Sequence, residues 1–318
     1  MSTPWIFVSA AFLLGLLFGS FLNVCISRLP QHESIVKPRS RCPECGAAIR
    51  WYDNIPILSW ILLRARCRDC HQSIPSRYPL VELSVGLWFG LAAMRFVVAY
   101  PSLFFAPGTI RVYHEYPATA AWLDITTLLV LGFLLIGLIV MDWQTHLLPN
   151  AFTLTGIAIG LFLVCTQAIF LPPHQGDVVL NTTHQLRMSS PGSNAAHGNI
   201  FLTGTEALVF GRIAAIVGAA ELLLLVRWTY KLLRHREGLG LGDVKLIAMI
   251  AAFLGFWPAI LALFIGVLTS AVYGLILMAR GRATALTKLP LGSFISAGGL
   301  IAALYGSRLI EMYTAMLQ

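Results

Sequence analysis

The chain has 318 residues, of which 57 % are hydrophobic and only 11 % charged; its mean hydropathy is +0.76 and its formal net charge +8. A soluble domain carries roughly 25 % charged residues, so a single large water-soluble core is excluded. The positive excess is not interleaved with aromatic residues along a stripe, which argues against a nucleic-acid-binding surface; most of it lies in the stretches between apolar runs.

Eight apolar segments are predicted, at residues 4–24, 79–100, 120–141, 151–171, 205–227, 244–256, 258–279 and 292–312. Most approach the ~20 residues that span a hydrocarbon core of ~30 Å. The fold class is therefore an all-α polytopic membrane protein, with about eight transmembrane helices and a small loop domain. Three parts are expected: a first transmembrane helix in 1–27, a loop in 28–78, and a transmembrane core in 79–318 carrying an insert at 172–204. The first segment lacks a basic leader region and a small-x-small cleavage site, so it is expected to be retained as a helix.

The loop 28–78 carries two Cys-x-x-Cys knuckles, Cys42-Pro-Glu-Cys45 and Cys67-Arg-Asp-Cys70. Four thiolates at this spacing fit a closed tetrahedral zinc site of the ribbon type. Gly46 suits the tight turn after the first knuckle, and Arg41, Arg66 and Arg68 would offset the thiolate charge. A loop of this size has too little core to fold unaided, so the metal would supply folding free energy and be structural. Redox chemistry is the competing reading of the same cysteines. Cys25 and Cys165 lie in apolar runs and read as inert core residues.

The same loop holds nine Lys and Arg residues, the stretch 227–245 five, and 280–288 three, whereas 101–119 and 172–204 hold one each. The positive-inside rule places the first three in the cytoplasm and both termini outside. The insert 172–204 is polar and rich in Ser, Asn, Thr and His, and reads as an extracytoplasmic loop.

Asp142 ends the third apolar segment, and Asp243 opens the sixth within Gly238-Leu239-Gly240-Leu241-Gly242-Asp243. The topology puts both at the cytoplasmic face. A charge at the edge of hydrocarbon is a functional candidate by default. Two carboxylates a few ångströms apart cannot both ionise cheaply and would share a proton. The ionised one takes a proton from water while the protonated one polarises a scissile carbonyl, as in an aspartyl protease. Gly240 and Gly242 allow close approach of a substrate strand, and Lys245 would tune the local field or bind a substrate group. The plainer reading is that Asp243 caps a helix and Asp142 is a solvated helix end. Glu82 reads as a group that caps or orients the second span, and Arg95 and Arg212 as partners for acids such as Asp124, Glu206 and Glu221. Trp257-Pro258 reads as a tight turn.

Longer stretches carry a resemblance. Gly19-Ser-Phe-Leu-Asn-Val-Cys-Ile-Ser-Arg-Leu-Pro30, Ser40-Arg-Cys-Pro-Glu-Cys45, Asn54-Ile-Pro-Ile-Leu-Ser-Trp60, Arg77-Tyr-Pro-Leu-Val-Glu82, Asp142 with Leu148-Pro149, and Gly240-Leu-Gly-Asp-Val-Lys245 together resemble the prepilin peptidases. These are membrane aspartyl proteases of type IV pilus and type II secretion systems. Leu289-Pro-Leu-Gly-Ser-Phe294 resembles a late segment of that family, usually closer to Pro-Phe-Gly-Pro-Phe, and departs from it at Leu291 and Ser293. The resemblance implies an enzyme of the bacterial inner membrane that cuts the basic leader of prepilins and pseudopilins after a Gly, at the cytoplasmic face, with Asp142 and Asp243 as the catalytic pair. It also implies N-methylation of the new terminus with S-adenosylmethionine, since the four-Cys loop marks the bifunctional members. No residue is assigned to the methyl donor. Glu44, Asp53 and Asp69 are candidates for attracting a basic leader. The competing class is a transporter or channel with a zinc-ribbon regulatory domain, which would need acids along a midplane path. A presenilin-like protease of broader specificity is a third reading.

Overall fold

The computed structural model describes residues 3–31, 33–37, 39–104, 118–170, 204–234, 240–282 and 288–316. Most of the insert 172–204, most of the loop 101–119, and Gly238 and Leu239 of the glycine run lie outside the described residues.

Each apolar run forms a helix, since lipid offers the backbone no hydrogen-bond partner. In chain order they are α1 (Thr3–Arg28), the short α2 (Leu58–Leu62) of the cysteine loop, α3 (Arg77–Ala99), α4 (Ala118–Thr145), α5 (Asn150–Phe170), α6 (Gly204–Arg234), α7 (Leu241–Leu254), α8 (Phe256–Ala279) and α9 (Leu291–Met316). Among the described residues, seven helices are long and apolar enough to cross a membrane. The chain is a multi-pass membrane protein.

The sixth apolar segment departs from the expected span. Helix α7 has 14 residues, about 21 Å at the α-helical rise and short of the ~30 Å hydrocarbon core. It is enclosed by protein instead of lipid, packing on α4, α5, α6, α8 and α9. Leu246, Ile247, Met249 and Ile250 are completely buried. A helix apolar all round is one that is surrounded. Its exit also differs from the expected Trp257-Pro258 turn. The chain reverses at Gly255, whose φ of 91° favours glycine. Trp257 and Pro258 sit in the first turn of α8, where proline's missing N–H costs no helix bond.

Close helix pairs are built on small residues, because hydrocarbon gives no hydrophobic drive for association and tight backbone approach supplies the packing. A Cβ on Gly19 of α1 would stand 2.5 Å from Glu82 Cα of α3, and one on Gly298 of α9 would stand 2.3 Å from the Ala262 carbonyl oxygen of α8. Trp88 of α3 donates its indole N–H to the Leu128 carbonyl of α4 at 2.8 Å. The two arginines read as partners for acids bind otherwise. Arg95 donates to the carbonyl oxygens of Ala303 (3.0 Å) and Leu304 on α9. The Arg212 guanidinium stands against Gly255, beyond the C-terminal end of α7, where a cation meets the negative end of the helix dipole. Asp124 instead accepts hydrogen bonds from Tyr100 and, at 2.7 Å, from Gln167.

Candidate active site

Helix α4 ends one turn after Asp142. His146 donates its N–H to the Asp142 carbonyl at 2.9 Å and takes a φ of 52°, and Pro149 follows, so the helix cannot continue. The Asp142 side chain is only 5 % exposed. A buried carboxylate needs donors, and Ser293 of α9 supplies them. Its backbone N–H meets Asp142 Oδ2 at 2.7 Å and its hydroxyl lies 3.1 Å from the same oxygen. The hydroxyl is also 2.9 Å from the Ile139 carbonyl oxygen. One proton serves two acceptors there, so Ser293 either donates to the ionised carboxylate or accepts from the protonated acid.

Asp243 lies in the first turn of α7 and accepts the Gly240 N–H at 3.2 Å. It does cap its helix, as the plainer reading held, but the cap does not exhaust its surroundings. The neighbours of the two aspartates converge on one residue, Leu148. A Cβ on Gly242 would stand 3.1 Å from Leu148 Cδ1; one on Gly292 would stand 2.9 Å from the same atom and 3.1 Å from Asp142 Oδ2. Gly242 and Gly292 thus let α7 and α9 close on the turn that follows Asp142.

Lys245 donates to Asn150 Oδ1 at 2.8 Å, which ties α7 to the start of α5. Trp143, Tyr273 and Phe294, the first and last of them next in sequence to Asp142 and Ser293, form an aromatic cluster with ring centroids 5.4–6.2 Å apart. Sequence reasoning did not foresee Ser293, Gly292, Asn150 or this cluster. The one signal available was the pair of departures, Leu291 and Ser293, in the late segment.

The four-Cys loop lies at the same end of the helices. The Sγ atoms of Cys42, Cys45, Cys67 and Cys70 all fall within 4.8 Å of one another, and Cys42 and Cys70 are 3.8 Å apart. Four thiolates at ~2.3 Å from one zinc ion would be ~3.8 Å apart. The group could hold a metal ion. The two knuckles are built alike: Gly46 N–H donates to the Cys42 carbonyl, His71 N–H to the Cys67 carbonyl, and both turn residues have positive φ, 69° and 57°. Arg68 does not serve the thiolates. It binds both oxygens of Asp53, at 2.6 and 2.8 Å, and holds that carboxyl below the usual carboxylate range. Asp53 is thereby engaged rather than free to meet a substrate leader.

A cavity of about 870 Å³ separates this loop from α1 and α3. Asn23 and Glu82, both more than nine-tenths buried, form part of its wall. Glu82 Oε2 accepts the Ile57 N–H at 2.8 Å, and Asn23 donates to the Tyr78 carbonyl at 3.0 Å. Glu82 therefore ties the loop to the second span, as an orienting role requires.

Residues 13–96 match the family described as the bacterial peptidase A24 N-terminal domain, and residues 195–275 match the type IV leader peptidase family. The relatives named prepilin leader peptidase/N-methyltransferase from Stutzerimonas stutzeri and Pseudomonas aeruginosa are each 30 % identical over 98 % of this chain and 95 % of their own length. The one of the same name from Myxococcus xanthus is 35 % identical over 87 % of this chain, which spans 65 % of that relative. No solved structure matches the chain. Two domain matches in the expected order, with relatives that align from end to end, make this chain a member of the type IV leader peptidase family.

Proposed function

We propose that the chain is a bifunctional enzyme of the bacterial inner membrane, which cuts the leader from prepilins or pseudopilins after a Gly and then N-methylates the new terminus. The observation that carries the peptidase half is that Asp142 and Asp243, from helices far apart in sequence, stand at one end of the bundle, where Gly242 packs on Leu148 and Gly292 packs on both Leu148 and the Asp142 carboxylate. In this reading they are the catalytic pair. One carboxylate, ionised, takes a proton from a water; the other, protonated, donates to the scissile carbonyl as the water attacks. Ser293 holds Asp142 by its N–H, and its hydroxyl follows either protonation state. Gly240 and Gly242 keep the approach open, and Lys245 with Asn150 fixes the start of α7 against α5.

The placement suits a membrane-borne substrate. A prepilin's apolar helix stays in lipid while its basic leader lies in the cytoplasm. The rule that positive loops stay inside puts the aspartates and the four-Cys loop on that side. The Gly before the scissile bond lets the helix open into an extended strand.

The sulfur spacing fits structural zinc, with no open position for catalysis. The cavity beside the loop fits S-adenosylmethionine in volume, and its buried Asn23 offers a polar partner. The donor, when bound, supplies an electrophilic methyl on a sulfonium. The transporter reading finds no support in the buried acids. Among the described residues these are Glu82 and Asp142, both toward the loop end of their helices and neither at a midplane path. The reading is tested by digesting a prepilin with wild type, Asp142→Asn and Asp243→Asn in the presence of the methyl donor, followed by intact mass. Wild type should remove the leader and add about one methyl group; both variants should leave the prepilin uncut.

A further inference from the structure

We propose that methyl transfer takes place in the cavity between the four-Cys loop and the paired helices α1 and α3, and that Glu82 holds the new α-amine there and takes its proton. The inference rests on the bifunctional reading above and assigns residues to its second half.

Glu82 is an unusual group to bury. It is 8 % exposed, carries no cation partner among the described side chains, and lines the cavity wall. Its known donors are neutral: the Ile57 N–H at 2.8 Å, with Ser20 and Asn23 in reach. A carboxylate offers about four acceptor positions, and a cation in the cavity would complete the set. Ile57 itself has a φ of 59°, rare for a β-branched residue. Such backbone persists where the surroundings over-determine it and tends to mark functional sites. Here the surroundings are the carboxylate of Glu82 at the cavity's edge.

The cavity also adjoins the end of α4 that carries Asp142. Arg77 lines it and donates to Gln144 at 2.6 Å, two residues beyond Asp142. The same Arg77, with Gln144, Trp143, Ile139 and Val140, lines a groove of about 450 Å³ between α3 and α4. Arg77 is thus common to the groove and the cavity, and an apolar pilin helix lying in the groove would bring its freed terminus to the cavity's edge.

The chemistry requires such a group. Peptide cleavage leaves an α-amine with a pKa of about 8, mostly ammonium at neutral pH and without a free lone pair. A carboxylate at Glu82 first pairs with the ammonium and then accepts one of its protons. The neutral nitrogen bonds to the methyl carbon as the carbon–sulfur bond breaks. The bonding pair stays on sulfur, the positive charge passes to nitrogen, and Glu82 returns its proton to water. No other co-reactant is needed.

Glu82→Gln separates this role from that of a mere anchor, because Gln keeps an acceptor for the Ile57 N–H but cannot take the proton. The full chain is given a prepilin and S-adenosylmethionine and read by intact mass. Equilibrium binding of radiolabelled S-adenosylhomocysteine is the second readout. Glu82→Gln should cleave at close to the wild-type rate, slow methylation about a hundredfold, as loss of an acid–base group does, and still bind S-adenosylhomocysteine. Ser27→Trp, which fills the α1 side of the cavity, should weaken that binding at least about tenfold, or ~1.4 kcal/mol, with cleavage intact. Methylation by Glu82→Gln at the wild-type rate would reduce Glu82 to an anchor and overturn the inference. So would unchanged S-adenosylhomocysteine binding by Ser27→Trp, which would put the donor elsewhere, or wild type that cleaves but never methylates. Wild type that does neither overturns the underlying reading as well.

Discussion

The four-Cys loop and the aspartate site lie at the same end of the helices but are held by opposite means. The loop has little apolar packing of its own: Trp51, Ile55, Ile61 and Leu62 are exposed. What shapes it are the sulfur cluster, the Arg68–Asp53 pair and single hydrogen bonds such as Trp60 to the Ile74 carbonyl at 3.1 Å. The aspartate site rests on α7, whose side chains are enclosed by five other helices. Metal should therefore govern the loop and leave the aspartates standing, whereas side-chain changes at the aspartates should spare the loop.

The largest effect expected is at the aspartates. Asp142→Asn or Asp243→Asn should lower cleavage by about 10³-fold or more, as removal of an acid–base group does, measured as the initial rate of leader release. Both should still methylate a peptide that already begins with a free α-amine. Next is metal removal. Cys42→Ser, or chelation of the wild type, should release about one zinc per chain, the number one closed four-Cys site holds, together with the loop's protection from proteolysis and the methyl transfer. Leader release should persist. If cleavage fell with the metal, the two regions would form one unit and the contrast would be wrong.

A smaller effect sharpens the aspartate side. Ser293→Ala removes the hydroxyl from Asp142 but keeps the backbone N–H. A hydrogen bond to a charged group contributes about 1.5–3 kcal/mol, so kcat should fall roughly 10- to 100-fold with KM little changed. Ser293→Thr should recover much of it. An unchanged kcat in Ser293→Ala would mean that the N–H alone holds Asp142.

The smallest effect lies in the loop. Because Arg68 holds Asp53 below the usual carboxylate range, the stability this lends is complete above the unfolded pKa of about 4 and is lost as pH falls through the lower folded value. Hydrogen exchange over residues 51–54 should thus be faster in Asp53→Asn than in wild type at neutral pH. The two should converge in acid.

Much of this was legible in the sequence because it is local. Among the described residues, hydropathy located the eight long helices, Cys-x-x-Cys spacing located the sulfur cluster, and the positions of Asp142 and Asp243 at segment ends put both at one face of the bundle. What was not legible is long-range. Nothing in the local pattern of Ser293 says that it binds Asp142, 151 residues away. An apolar run of 14 residues looks alike whether lipid or protein surrounds it, so α7 read as another span. Gly255 took the turn expected at Trp257-Pro258 because only the positive φ, not the proline, reverses the chain. Lys245 met Asn150, and Arg95 met carbonyls instead of acids, because polar side chains in a helix bundle take whichever partner the packing brings near.

The most direct measurement compares chelated wild type with metal-loaded Asp243→Asn on two substrates, a full prepilin and a peptide already bearing a free α-amine, both read by intact mass. Complementary losses are predicted: the chelated enzyme removes the leader but does not methylate, and Asp243→Asn methylates the free amine but leaves the prepilin whole. Leader removal by Asp243→Asn at the wild-type rate would contradict the account.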